Sequence, residues 1–169
     1  MIKTDDAIAV ARGLIGTPYS EMDCIALIRA VIKKSPGGDK AYRCEGTNWL
    51  WRSIGNSEKY RHLLLRWEGI DKARAGMLAF KRNGDDVHHV GLVTDEGTVI
   101  HASSASGAVV ETALDHTWDL LGWHAHIEIG DLVFESEDDG PAWEVSTVLI
   151  NQVNGLAIRI GGDWRVAED

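Results

Sequence analysis

Apolar residues recur at helical spacing from the start of the chain: Ala7, Ile8, Ala11, Leu14 and Ile15 fall three or four positions apart. Thr4 stands ahead of them as a cap, and Asp5 and Asp6 occupy a first turn where the helix dipole favours acids. Gly16-Thr17-Pro18 ends this segment. A second helix is predicted from Cys24 to about Lys34, with Leu27, Ile28, Val31 and Ile32 inward and Lys33 and Lys34 at the negative end of the dipole. Ser35-Pro36-Gly37-Gly38 stops it. Asn48 to Ile54 reads as a short helix presenting Trp49 and Leu50, while the pattern around Leu63 to Trp67 is ambiguous.

From Gly76 the period changes to that of strands. Met77 to Phe80, His88 to Thr94, Thr98 to Ala102, Val109 to Thr112 and His124 to Ile129 are each bounded by turn residues. Helices first and strands second predict an α+β chain with an antiparallel sheet. The acidic run within Glu135 to Pro141 reads as a linker, dividing a main domain at 1–134 from a short extension at 142–169. In that extension Trp143 to Leu149, Leu156 to Ile160 and Trp164 to Val166 alternate around Asn154-Gly155 and Gly161-Gly162, predicting a three-strand meander. So small a meander needs support, so these strands are expected to pack on the main domain or to self-associate with a second chain.

Composition narrows the function classes. With 169 residues the chain suits one ordinary domain and an appendage. Acidic residues outnumber basic ones 26 to 17, a net charge of −9 that disfavours nucleic acid and anionic membranes as partners. No apolar run approaches the roughly 18 residues of a membrane span. Met1 to Gly16 carries charges inside its apolar pattern, so no secretion signal is read there. Two cysteines, Cys24 and Cys44, are too few for a disulfide framework, and a thiol role is to be weighed for each.

Cys24 opens the second helix, where unpaired amide N–H groups and the dipole favour thiolate over thiol. Asp23 opposes this unless its carboxylate turns into a cap. Position alone leaves Cys24 either a nucleophile or a small core residue. Candidate bases lie in His88-His89-Val90-Gly91-Leu92-Val93 and Val99-Ile100-His101. Asp95-Glu96-Gly97 between them suits a three-residue hairpin loop with glycine in the left-handed conformation. That register sets Thr94 opposite Thr98 and His101 opposite Gly91, with His89 diagonal to His101 on one face and His88 turned away. The pair forms either a catalytic site or a solvated strand face. Neither HExxH nor CxxC spacing occurs among His88, His89, His101, His124 and His126, so no metal and no cofactor are expected. His124 and His126 read as a polar strand face, and Trp49, Trp51 and Trp67 as packing residues rather than sugar-stacking ones.

Gly16-Thr17-Pro18-Tyr19 followed by Asp23-Cys24 and an apolar helix resembles the nucleophile motif of the NlpC-type peptidoglycan endopeptidases, which are papain-like cysteine enzymes. Gly76-Met77-Leu78-Ala79-Phe80, His89-Val90-Gly91-Leu92-Val93 and Val99-Ile100-His101-Ala102-Ser103 resemble the second half of that family. The resemblance covers about residues 5–130. It implies a papain-like fold in which Cys24 attacks an amide carbonyl, His89 moves the proton, His101 orients His89, and Tyr19 helps hold the oxyanion. It also implies a peptidoglycan stem peptide as substrate, cut from γ-D-glutamyl to a diamino acid. Asp23, Thr47 and Asn48 are candidate substrate contacts.

The chain departs from the family pattern at Ile25, where serine is usual, at Ala26, where glycine is frequent, at Met77, where aspartate is usual, and in a shortened loop from Tyr19 to Asp23. None of these removes a catalytic atom. Two other readings stay open: a thiol-dependent amidase acting between sugar and peptide, and a catalytically idle wall-binding or phage-tail module. With no export signal read, the protein is expected to be made in the cytoplasm and to reach the wall as part of a phage or prophage lysis or tail assembly.

Overall fold

The structure is a computed structural model that describes residues 1–56, 66–128, 157–160 and 163–166. Helix α1 spans Thr4–Gly13, α2 Cys24–Lys34 and α3 Thr47–Asn56. Strand β1 is Ile2–Lys3, and β2 Arg66–Glu68, β3 Leu78–Asn83, β4 Asp86–Val93, β5 Thr98–Ser103, β6 Ala108–Ala113 and β7 Leu120–Gly122 follow. β8 Ile127–Glu128, β9 Ala157–Ile160 and β10 Asp163–Val166 complete the set. Six strands form one antiparallel sheet in the order β2-β7-β3-β4-β5-β6. The expected α+β architecture, helices before an antiparallel sheet, is the observed one.

Alternation along β3, β4 and β5 gives the sheet two buried faces. Leu78, Phe80, Val90, Leu92, Ile100 and Ala102 meet the helices, joining Leu27, Ile28, Val31 and Ile32 of α2 in the main core. On the other face Met77, Ala79, Val93, Val99 and Leu121 pack with Trp118 and Trp123. A strand covered on both sides is fixed in register, because a slip of one residue exchanges the two sets. The hairpin between β4 and β5 has the expected register, pairing Leu92 with Ile100 and Val93 with Val99. Gly97 adopts φ +70, the left-handed conformation that its loop position requires.

The helix entry differs from expectation. Lys3, not Thr4, precedes the first turn of α1 and makes no side-chain cap. The Thr4 hydroxyl instead donates to the Glu128 carbonyl, tying α1 to the β1–β8 pair. That pair is parallel and only two residues long on each side, with Ile2 opposite Ile127. Of the strand expected from His124 to Ile129, the described residues form Ile127–Glu128, and His124 lies outside it, buried rather than on a polar strand face. β9 and β10 pair antiparallel, as their alternation predicts. The strand expected at Trp143 to Leu149 and the linker at 135–141 lie outside the described residues.

His124 fastens the loop between α2 and α3. Its Nδ1 accepts from the His126 backbone N–H at 3.1 Å, so the neutral ring carries its proton on Nε2, 2.9 Å from Tyr42 Oη. Burial, followed by the neighbouring His126, pushes its pKa down to about 3. A folded value below that of the free imidazole means stability present above pH ~6.5 and lost as pH falls toward 3, by up to about 1.4 kcal/mol per unit. Urea unfolding at pH 7.5 and 4.5 should show a wild-type loss exceeding that of His124→Gln by about 2–3 kcal/mol. Equal losses would mean that this ring is not buried neutral.

Candidate active site

Cys24 occupies the first position of α2, and Asp23 caps it: the carboxylate accepts from the Ala26 N–H at 2.8 Å. The Asp23 carboxylate is thereby turned into the helix end, where the first amide N–H groups have no partner within the helix. The loop before the cap is held to the sheet, with Pro18 bridging Ala108 and the Tyr19 N–H donating to the Gly107 carbonyl at 2.9 Å. Tyr19 is part-exposed, and its hydroxyl pKa is raised by desolvation and then by Cys24 and Asp23, so the phenol keeps its proton as a donor.

His89 and His101 share one sheet face, as the hairpin register predicts. His89 Nε2 lies 2.8 Å from His101 Nδ1, and His101 Nε2 lies 2.9 Å from Thr112 Oγ1. Gly91 makes this approach possible, since a Cβ there would come within 2.9 Å of the His101 Cβ and 2.4 Å of a Val99 methyl. His88 is exposed beside the register shift opposite Lys81 and Arg82. Burial, then His101, Lys81 and His88, pull the pKa of His89 down to about 4; burial and Lys81 lower that of His101. Both rings are therefore neutral at neutral pH, the form in which an imidazole accepts a proton.

The structure does not join this pair to the sulfur. Cys24 packs with the helix-side core, whereas His89 and His101 lie on the face that carries Trp118. The hydrogen-bonding contact of Cys24 Sγ is with Thr47 Oγ1 at 3.7 Å. Alternation sends Val90 toward the helix-side core and His89 to the other face of β4. The β4–β5 pairing ends at Leu92 and Ile100, short of the two histidines.

Of the three candidate substrate contacts, Asp23 is the helix cap. Asn48 is engaged by its own fold: its Nδ2 donates to Asp86 at 2.6 Å and its Oδ1 accepts from the Val87 N–H at 2.8 Å. Thr47 alone turns toward the sulfur. Cys44 is buried, burial raises its pKa, and its thiol donates to the Gly46 carbonyl, all of which suit an inert thiol.

Two residues at this site went unread in the sequence. Thr112 was legible in principle, since the β5–β6 register puts it diagonal to His101. Trp118 sits in a loop and carries no periodic signal. Among the described residues, no group of three or more histidine, cysteine, aspartate or glutamate side chains is arranged to hold a metal ion.

No family model matches the chain, and no curated protein matches it. Among solved structures it is similar to the peptidoglycan hydrolase RipB from Mycobacterium tuberculosis, with a TM-score of 0.53 and 17% identity. That match covers 72% of this chain and spans 64% of the RipB chain. It is also similar to the NlpC/p60 domain of the peptidoglycan hydrolase SagA, at 22% identity and a TM-score of 0.48, over 70% of this chain and 96% of that one. At such identities the likeness is one of architecture: the chain shares with RipB an α+β fold in which helices pack on an antiparallel sheet.

Proposed function

We propose that this protein is a cysteine peptidase that hydrolyses an amide bond in peptidoglycan stem peptides, with Cys24 as nucleophile, His89 as base and His101 as its orienting partner. The observation that carries the reading is the neutral, hydrogen-bonded His89–His101 pair, on a sheet packed by the helix that opens with Cys24. If His89 donates its Nε2 proton to His101 Nδ1 and His101 donates its own to Thr112, a lone pair is left on His89 Nδ1. That nitrogen takes the thiol proton as sulfur bonds to the carbonyl carbon. The oxyanion is met by the Cys24 N–H and the Tyr19 hydroxyl. His89 then protonates the departing amine, leaving a thioester that water, deprotonated by His89, converts to a carboxylate and free thiol. Reaction requires Cys24 Sγ and His89 Nδ1 to come within proton-transfer distance of each other.

Incubation of purified peptidoglycan with the protein, followed by mass analysis of the products, tests the reading: new pairs of peptide termini support it. Cleavage of γ-D-glutamyl to diamino acid bonds would show as a free γ-carboxylate, whereas release of whole stems would indicate an amidase. Activity should survive EDTA, since no step is assigned to a metal. Loss of activity that added zinc restores would contradict this mechanism.

The contact of Cys24 with Thr47 rather than His89 favours a second reading, in which the chain binds cell-wall material without cutting it. Co-sedimentation with peptidoglycan and no new termini would establish that one.

A further inference from the structure

The back of the histidine pair is built from residues to which the proposed reaction gives no role. Trp118 is buried and stacks on His89 with ring centroids 5.3 Å apart and planes 26° apart. It also meets His101 edge-on at 5.2 Å. Lys81 stands directly opposite His89 in the β3–β4 register, and its ammonium lies 4.7 Å from the centre of the Trp118 ring. The turn that presents Trp118 winds on Asp115, whose carboxylate accepts from the Thr117 N–H at 3.0 Å and the Thr117 hydroxyl at 2.6 Å. The Asp115 carbonyl accepts from the Trp118 N–H at 3.1 Å.

We propose that Trp118 and Lys81 are positioning residues for His89: the indole fixes the ring edge-on to His101 and keeps water from the bond between them, and the ammonium holds the pair in its neutral form. The inference deepens the peptidase reading and rests on it for its catalytic consequence. An imidazolium flat against an indole would be favoured by the ring face, so Trp118 alone does not guarantee neutrality. Lys81 supplies the opposing charge. It competes for the same indole and raises the electrostatic cost of a second cation beside it. The groups facing His89 are His101 from β5, Lys81 from β3, and His88 on its own strand, all of which disfavour its protonation. Asp115 acts in the other direction by partly neutralising Lys81; its own carboxyl pKa is lowered first by the hydrogen bonds from Thr117 and then by Lys81.

The test is a histidine NMR titration of the full chain, with the pH profile of peptidoglycan cleavage read alongside. In the wild type His89 should remain neutral, with its proton on Nε2, to well below the pH at which a free imidazole titrates. Lys81→Met keeps the aliphatic stem and removes the charge, and should raise the His89 midpoint by about 0.5–1 unit. The acid limb of kcat/KM should move upward with it. Trp118→Phe should keep the tautomer. Trp118→Leu, which fills the core without a flat ring, should mix the tautomers and lower kcat more than it raises KM. A His89 midpoint unmoved by Lys81→Met, or a tautomer unmoved by Trp118→Leu in a folded chain, overturns the proposal. A shifted midpoint with an unmoved acid limb overturns its catalytic part. Failure of the wild type to cleave at any pH counts against the peptidase reading, and the titration still decides whether Trp118 and Lys81 position His89.

Discussion

Replacing Cys24 by alanine is expected to abolish release of peptide termini from peptidoglycan, a loss of at least about 10³-fold, because the nucleophile has no substitute. The fold should survive: Asp23 keeps its cap on Ala26, and the small side chain removed contributes little core volume. Cys44→Ala is expected to retain activity while lowering stability by about 1 kcal/mol, since that thiol is buried. Iodoacetamide at neutral pH should label Cys24 before Cys44, whose pKa burial raises. The meeting of sulfur and imidazole is tested by the same reagent. His89→Ala should slow labelling of Cys24 about tenfold if His89 takes the thiol proton. An unchanged labelling rate would mean that Cys24 remains with Thr47 and that the base lies elsewhere.

The parts of the fold legible in the sequence are those fixed by local rules. The α2 boundaries follow from Asp23 at the cap and the break at Ser35-Pro36, and all four residues expected inward on that helix are buried. The β4–β5 register follows from counting three loop residues ending in a left-handed glycine. Non-local pairing was not legible. β7 is three residues, Leu120-Leu121-Gly122, too short for any period, and becomes a strand because β2 and β3 flank it. β1 and β8 likewise exist only through each other. His124 alternates like a strand residue in the sequence, yet Tyr42, 82 positions away, determines its burial.

The same limit applies at the site. Chemistry confined to one hairpin was readable: His89 meets His101 because the loop between them has the right number of residues. Which face of the sheet then meets Cys24 depends on where Val90 and Leu92 find α2, and the motif order does not state that. Trp118 reaches His89 from a loop 29 positions along the chain, and nothing in its neighbours marks it.

Deletion of Glu96 tests the register most severely. Glu96 is an exposed side chain, and its backbone N–H donates to the Thr94 hydroxyl within the loop. Removing it leaves a two-residue turn between strands that now pair Thr94 with Thr98 through both backbone and side chain. A two-residue hairpin changes the facing of one strand relative to the other, so either His89 or His101 must cross to the helix-side core. Neither outcome is tolerable. A neutral imidazole placed among Leu27, Ile28 and Leu92 would lack partners, at a cost of about 1–3 kcal/mol. The apolar residues it displaces would be driven from both faces at once, for a total loss of several kcal/mol. Glu96→Ala keeps the residue count and should leave cleavage within about twofold of wild type and stability within ~0.5 kcal/mol, its contact with Arg12 being an exposed one. Thermal unfolding and cleavage of the two variants, compared directly, separate loop length from side chain. A Glu96 deletion that still cleaves peptidoglycan would show that the hydrogen bond between His89 and His101 is dispensable, and the role given to His101 would fall with it.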